Sequence, residues 1–111
     1  MLGIGGYTGP FPAFTFVHLF ATDTGTLRVG ARCLLHSVNV NQSGANGNIL
    51  KLYDAGSVGA AGVPEEVAVI DVSKATVGQS FTFDCLLPSG LVTRLENGTP
   101  ADVTLTFAVL P

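Results

Sequence analysis

Apolar and polar residues alternate in several short runs of this chain, and a period of two residues is typical of half-buried β-strands. In residues 102–110, Val103, Leu105 and Phe107 fall on one face, while threonines occupy the other. Residues 79–87 repeat the pattern, with phenylalanines on the inner face. No segment shows apolar residues at i, i+3, i+4 and i+7 over ten residues. The alternation therefore predicts an all-β chain.

Further strands are predicted at residues 13–20, 26–40, 48–54 and 65–72, and the run 26–40 is long enough to bend or bulge near Gly30. The segments between the runs are rich in Gly, Pro, Asn, Asp and Ser, which tolerate turn conformations. Short helical turns near Pro64 or Ser73 fit this pattern. We expect a single antiparallel β-sandwich or jelly-roll-like domain of about seven to eight strands at residues 13–111, preceded by an N-terminal arm at residues 1–12.

Charge is scarce in this chain. Only 12% of its residues are charged and 47% are hydrophobic, against roughly 25% charged residues in an ordinary soluble domain. The five basic residues are scattered and the formal net charge is −3, so nothing predicts nucleic-acid binding. No apolar run approaches the roughly 20 residues of a membrane span. The surplus apolar surface is therefore predicted to contact other protein chains.

The N-terminal region combines aromatic residues with proline and glycine. The predicted interface residues Tyr7, Phe11, Phe14 and Phe16 lie within ten positions of one another, and aromatic side chains commonly anchor protein interfaces. Two arrangements are open: the region packs over its own sandwich, or it reaches across a subunit boundary. The first residues lack the positive and apolar regions of an export signal, which predicts synthesis in the cytoplasm.

Two turn-rich segments are candidates for contact with a partner. Residues 55–64 are mostly small and are predicted to form a loop that is mobile or draped on a neighbour. The second segment, residues 41–47, is rich in asparagine. The candidate contact residues in these loops are Asn41, Asn46, Val58 and Val63.

Catalytic chemistry has little support in the sequence. His18 and His36 both lie in alternating runs, where a hydrogen-bonded structural imidazole is the favoured interpretation. No G-x-S-x-G nucleophile motif is present, and Glu65 and Glu66 would point to opposite faces of a strand. Asn97 with the following glycine indicates a tight turn. We expect no enzyme activity, no cofactor and no metal site.

Two cysteines and two tyrosines complete the candidate residues. Cys33 and Cys85 lie in apolar runs that could face each other across a sandwich, yet two buried thiols are the favoured interpretation, without a required disulfide. A sugar-binding site would need an exposed aromatic platform. Tyr53 or Tyr7 would have to supply it, because the chain has no tryptophan.

One stretch of sequence resembles a known class of proteins. Gly90-Leu-Val-Thr-Arg-Leu-Glu-Asn-Gly-Thr-Pro-Ala-Asp-Val-Thr-Leu105, with Asn48-Ile-Leu-Lys-Leu-Tyr-Asp54 upstream, resembles small β-sandwich virion proteins of tailed bacteriophages. The resemblance covers roughly residues 39–107. It implies a capsid cement or decoration protein on the virion surface, acting as a homotrimer bound to the major capsid protein.

Two classes of function therefore stay open at this stage. The first is a virion structural protein that binds an assembled capsid and stabilises it through apolar contacts. The alternative is a head-fibre or tail-associated module that recognises a host surface or a glycan through its loops.

Overall fold

The structure is a computed structural model, and it describes residues 13–111. These residues form eight β-strands and two short 3₁₀ helices. The strands are β1 (Thr15–Leu19), β2 (Thr26–Val29), β3 (Cys33–Gln42), β4 (Ile49–Tyr53), β5 (Glu66–Ile70), β6 (Ser80–Leu87), β7 (Leu91–Glu96) and β8 (Asp102–Val109). The 3₁₀ helices, Val58–Ala60 and Val63–Glu65, lie between β4 and β5. The second contains Pro64, in agreement with the short helical turn that the sequence allows there.

The strands form two antiparallel four-stranded sheets. The first sheet has the order β1-β8-β3-β6, and the second has the order β2-β7-β4-β5. Successive strands alternate between the two sheets from β1 to β4 and again from β5 to β8, which is the winding of an eight-stranded jelly roll. The predicted all-β sandwich is confirmed. The predicted strands at residues 13–20, 48–54, 65–72, 79–87 and 102–110 each contain one observed strand.

The core lies between the two sheets and is built from the apolar half of each alternating strand. The phenylalanines of β6 and the inward residues of β8 pack against leucines of β4 and β7. Its fully buried members include Leu35, Val38, Leu50, Leu52, Leu91, Leu95, Val103 and Leu105. Because side chains alternate across a strand, the polar half of each strand faces outward.

The structure divides the predicted run 26–40. Residues 26–29 form β2 in the second sheet, whereas Cys33–Gln42 forms β3 in the first. Near Gly30, where a bend in one strand is expected, the chain therefore crosses from the second sheet to the first. β3 itself is irregular, with register shifts between Leu35 and Ser37 and between Val40 and Gln42.

Two Asn-Gly pairs with positive φ form the turns at one end of the sandwich. The φ angles are 57° at Asn46 and 78° at Gly47, and 66° at Asn97 and 60° at Gly98. Positive φ at two successive residues is the conformation that Asn-Gly favours. The tight turn predicted at Asn97 is thereby confirmed, and a β-bridge between Ala45 and Thr99 joins the two turns.

The buried side-chain amide of Asn48 connects three backbone segments at this end of the sandwich. Asn48 is fully buried and donates from Nδ2 to the carbonyls of Glu96 and Asn97, at 3.1 and 2.8 Å. Its Oδ1 accepts from the backbone N–H of Ala101 at 2.9 Å. The side chain thus satisfies backbone groups on both sides of the crossing between β7 and β8.

The two cysteines lie under the same sheet. Cys33 pairs with Leu87 and Cys85 pairs with Leu35 on the neighbouring strands β3 and β6, so the thiols do not face each other across the core. Both are free; Cys33 is buried and Cys85 is half-buried. Burial raises the pKa of the Cys33 thiol to about 11, which keeps it protonated near neutral pH. No helix within residues 13–111 is long and apolar enough to cross a membrane.

Candidate interaction surface

The outer surface of the first sheet, here called the first face, is formed by the outward residues of β1, β8, β3 and β6. The strand register brings them into rows: Phe16 is paired with Thr106, and His18 with Thr104. Across the sheet, Asn39 lies between Thr104 and Ser80. The face is therefore composed of aromatic residues along β1 and of Thr, Ser and Asn over the three other strands.

Ionised side chains are almost absent from this sheet. Its four strands contain no lysine, arginine or glutamate. The carboxylates are Asp84 on β6 and Asp102 on β8. Each is hydrogen-bonded to a histidine, Asp102 to His18 and Asp84 to His36, so both histidines of the chain lie on the first face.

The His18 pair belongs to a small polar cluster. Asn41 Nδ2 donates to Asp102 Oδ1 at 3.0 Å and to Thr104 Oγ1 at 2.9 Å. The hydrogen bonds from Asn41 and then from His18 lower the pKa of the Asp102 carboxyl below its usual value. The ring of His18 also lies 5.0 Å from that of Phe20.

The His36 pair lies at an irregularity shared by β3 and β6. The β3–β6 register shifts between Leu35 and Ser37, and opposite it Asp84 adopts a φ of 46°, which is uncommon for a residue other than glycine. This bulge directs the Asp84 carboxylate to His36 and interrupts the regular ladder of an edge strand, which opposes strand pairing there.

Phenylalanines from the β1 region border the first face. Phe14 packs on Leu34, Ala108 and Leu110 in a cluster separate from the main core, and its ring lies 5.1 Å from that of His36. Phe16 is 68% exposed and Phe20 is 64% exposed. Large aromatic side chains with this exposure are typical of surfaces that a partner covers.

Part of the outer surface of the second sheet, here called the second face, is covered by the chain itself, while Leu27 and Val69 on the same sheet stay exposed. Residues 55–61 lie against it, and Tyr53, Val92, Ala55 and Ala61 form a buried cluster. The Arg94 guanidinium lies 4.8 Å from the centre of the Tyr53 ring and donates to the Ala61 carbonyl at 2.9 Å.

This packing differs from what the sequence predicts for residues 55–64, a loop that is mobile or draped on a neighbour. Ala55 and Ala61 pack on the chain's own sheet, and Val58–Ala60 and Val63–Glu65 form short 3₁₀ helices. Small residues make this possible, because Ala55 and Ala61 fit closely over the tyrosine. Tyr53 is only 2% exposed, so it does not supply the exposed aromatic platform that a sugar-binding site would need.

A groove of about 400 Å³ opens between β5 and β6, the last strands of their sheets. Phe81, Phe83 and Ile70 line its apolar part, while Asp71 and Lys74 lie at its rim. A salt bridge of 3.9 Å joins these two charged residues. Its apolar lining is continuous with the core, since Phe81 and Phe83 also pack against the buried cluster.

The polar groups around the two His–Asp pairs of the first face are exposed or half-buried hydrogen-bonding groups. Within residues 13–111, no group of three or more His, Cys, Asp or Glu side chains could hold a metal ion. The two His–Asp pairs lie on an exposed sheet surface, and the side chains beside Asp102 are the amide of Asn41 and the hydroxyl of Thr104. Such groups can accept and donate hydrogen bonds to a partner surface.

Comparison with known protein families found no family that matches this chain, and a search of curated proteins found no match.

The sequence-predicted site residues fall at three separate places. Tyr7 and Phe11 lie outside the described residues, while Phe14 and Phe16 lie on the first face. Asn41 also borders the first face, and Asn46 lies in the Asn-Gly turn at the end of the sandwich. Val58 and Val63 are exposed on the segment that covers the second face. The structure therefore does not gather the four loop residues into one surface.

Sequence reasoning missed the two His–Asp pairs and Phe20. His18 and Asp102 are 84 positions apart, and His36 and Asp84 are 48 apart, so no local motif connects them. The alternating pattern did contain a signal. In their runs, His18 and Asp102 occupy positions that point away from the core, as the apolar residues beside them point inward.

Proposed function

We propose that this chain is a structural subunit of a viral particle, of the capsid-decoration type, which works by burying its first face against other protein chains. The observation that carries the proposal is the contrast between exposed aromatic residues and the lack of Lys, Arg and Glu on the strands of that face. Interface centres are depleted in charge and enriched in aromatic residues.

Two further observations support a virion role. The strand order is that of a jelly roll, an architecture that viral capsid proteins share with lectins and cupins. A fold alone does not define a function, but the β7–β8 region is also the part of the sequence that resembles phage virion proteins. The fold and the sequence pattern thus favour the same class.

Burial of the first face would supply the binding energy. Covering a largely exposed phenylalanine contributes about 1.5–3 kcal/mol, so Phe16 and Phe20 together would offset a substantial part of the entropy that association costs. Asp84 and Asp102 already accept hydrogen bonds, which reduces the penalty for removing them from water. An oligomer would bind the capsid through several such subunits at once and dissociate slowly.

The experiment is co-sedimentation of the purified chain with particles from the virus that encodes it, before and after the endogenous copy is stripped from them. We expect the wild-type chain to bind saturably and the double variant Phe16→Ser/Phe20→Ser to bind at least tenfold more weakly. Val69→Ser is the matched control, since Val69 is exposed on the second sheet, and it should bind like the wild type.

Two results would contradict the proposal. One is particles that neither contain the chain, by immunogold labelling, nor bind it in sedimentation. The other is specific binding of the chain to a glycan array that persists in the Phe16→Ser/Phe20→Ser variant, which would favour a recognition module that uses a different surface.

A further inference from the structure

We infer that the protein surface which covers the first face carries arginine side chains, and that one of them binds the Asp102 carboxylate while its guanidinium lies on the ring of Phe20. The inference rests on the proposed function, because it names the chemistry of the partner of the same surface. The charge of the first face, the hydrogen bonds of its carboxylates and the position of its exposed phenylalanine carry it.

The negative charge of the first face has no basic counterpart in its own sheet. With neutral histidines the chain has a formal net charge of −3. Asp84 and Asp102 supply two of these charges, because the other Asp and Glu residues outnumber the basic residues by only one. The four strands contain no lysine or arginine, and Arg32, directly before β3, donates to the Pro111 carbonyl. A partner of this face therefore contacts a negative surface.

Both carboxylates keep part of their hydration in the described chain. The side chains of Asp102 and Asp84 are 34% and 42% exposed, so water reaches each of them. The imidazoles bond to Oδ1 of each carboxylate, and Asn41 also donates to Oδ1 of Asp102, whereas none of these bonds goes to Oδ2. Covering a carboxylate removes its water, which is unfavourable unless the partner supplies a hydrogen-bonded opposite charge. The partner is therefore expected to place cationic donors against these groups.

An exposed aromatic ring close to Asp102 favours arginine over lysine. His18, which is bonded to Asp102, has its ring 5.0 Å from that of the largely exposed Phe20. A guanidinium is a planar cation whose N–H groups bind carboxylates and whose face stacks on aromatic rings, whereas an ammonium is a compact, strongly hydrated charge. Hydrogen bonds from Asn41 and then from His18 lower the pKa of the Asp102 carboxyl, so this group is ionised at neutral pH. Phe20, His18 and Asp102 together thus form a composite site for a guanidinium.

The strand register separates the two carboxylates, so each requires its own basic residue. Asp102 is paired with Gln42 at one end of β3, and Asp84 lies opposite the register shift between Leu35 and Ser37. With about 4.8 Å between strands and about 3.3 Å per residue, the two groups are roughly 15–20 Å apart. This separation exceeds the Debye length of about 8 Å at physiological ionic strength. The two contacts should therefore contribute to binding almost independently.

The direct experiment is an NMR titration of the full ¹⁵N-labelled chain with an acetylated and amidated tri-arginine peptide, with the tri-lysine and tri-citrulline peptides as controls. We expect the arginine peptide to shift the amide signals of His18, Phe20 and Thr104 and to bind about three- to fivefold more tightly than either control. Asp102→Asn and Phe20→Ser should each weaken its binding by about threefold. Asp71→Asn is the matched control, since Asp71 is an exposed carboxylate away from the first face, and it should bind like the wild type.

Co-sedimentation with stripped particles extends the test to the proposed partner. The double variant Asp84→Asn/Asp102→Asn should bind about tenfold more weakly than the wild type. Raising NaCl from about 50 to 500 mM should weaken the wild type more than this variant, because salt screens the charges that the variant lacks. Asparagine preserves the side-chain shape and tolerates the positive φ of Asp84, and thermal unfolding of each variant shows that it is folded.

The outcomes separate this inference from the proposed function. The inference is overturned if Asp84→Asn/Asp102→Asn binds particles as tightly as the wild type, or if the arginine peptide binds no better than the lysine and citrulline peptides. In both cases a loss of particle binding in Phe16→Ser/Phe20→Ser would still support the proposed function. If the wild-type chain ignores particles but binds the arginine peptide at Asp102 and Phe20, the proposed function alone is overturned.

Discussion

The two outer faces of the sandwich start from the same alternating pattern but differ in what covers them. The second face has Lys51, Arg94 and Glu96 on its strands, and residues 55–61 cover part of it. The first face has neither lysine nor arginine on its strands, and Phe16 and Phe20 are largely exposed there. Within residues 13–111 the large exposed aromatic side chains therefore lie at the first face, whereas the exposed apolar residues elsewhere, such as Val63, Val69 and Val77, are aliphatic.

The comparison also separates two uses of an aromatic side chain. Tyr53 contributes to folding because the chain supplies its cover, with Ala61 above it and Arg94 against its ring. Phe16 makes no comparable contribution within the described chain, since most of its surface stays in contact with solvent. Stability and association should thus respond to different substitutions.

The largest effect is expected from removing the covered aromatic residue. Tyr53→Ala should lower the free energy of unfolding by about 3–4 kcal/mol, as truncation of a buried aromatic side chain does. Phe16→Ala should change it by less than about 0.5 kcal/mol, because the side chain is exposed. Urea unfolding of both variants measures the difference, and equal losses would show that the two faces do not differ in this way.

A smaller loss of unfolding free energy is expected when residues 55–61 are held less tightly on the second face and no large cavity is created. Arg94→Ala removes the hydrogen bond to the Ala61 carbonyl and the contact with the Tyr53 ring, which together stabilise the fold by about 1–2 kcal/mol. Amide hydrogen exchange should then increase in residues 55–61 and stay unchanged on β8. Arg32→Ala is the control, since the Arg32 side chain is exposed and donates to the Pro111 carbonyl rather than to residues 55–61. Unchanged exchange in residues 55–61 would argue against this role.

Alkaline pH should lower the free energy of unfolding through Cys33, which lies on the inner side of the first sheet. The pKa of Cys33 is raised by burial from 9.0 to about 11, so the folded state retains a proton that the unfolded chain loses. Between pH 9 and 11 the stability contributed by this group therefore falls as pH rises. Cys33→Ala should flatten this part of the stability curve relative to the wild type in urea titrations. A slope identical to that of the wild type would show that the thiol has no part in it.

The smallest effect concerns the polar cluster on the first face. Because the folded pKa of Asp102 lies below its ordinary value, its contribution to stability is present above pH 3.8 and is lost as the pH falls through the folded pKa. Asn41→Ala removes the first of the two hydrogen bonds that lower it, so the pKa of the Asp102 carboxyl should rise toward its ordinary value. An NMR titration of the side-chain carboxyl carbon measures the shift, and an unchanged midpoint would show that Asn41 does not hold the carboxylate.

The sequence was sufficient for most strands because each one alternates cleanly. Val103, Leu105 and Phe107 mark the inner side of β8 without any knowledge of its neighbours. The division at Gly30 was harder to predict, since β2 and β3 read as one apolar run and only their pairing with different sheets separates them. The tight turn at Asn97 could be predicted because the Asn-Gly pair favours positive φ at two successive residues.

The candidate surface depended on information that no local pattern carries. Whether an outward residue is covered depends on loops that are distant in sequence, as with Ala61 over Tyr53. The partners of both histidines likewise come from strands far along the chain. The alternation places Phe16 on an outer face of the sandwich. Which of the two outer faces stays uncovered is known only once the path of residues 55–61 over the second sheet is known.

The pairing of β1 with β8 has a consequence for how the protein is made. Thr15 is paired with Phe107 and Leu19 with Val103, so β1 can join its sheet only after β8 has been synthesised. Contacts of such large sequence separation form slowly. The first face is consequently completed only once β8 has left the ribosome, and until then Phe16 and Phe20 are accessible to chaperones and to other nascent copies.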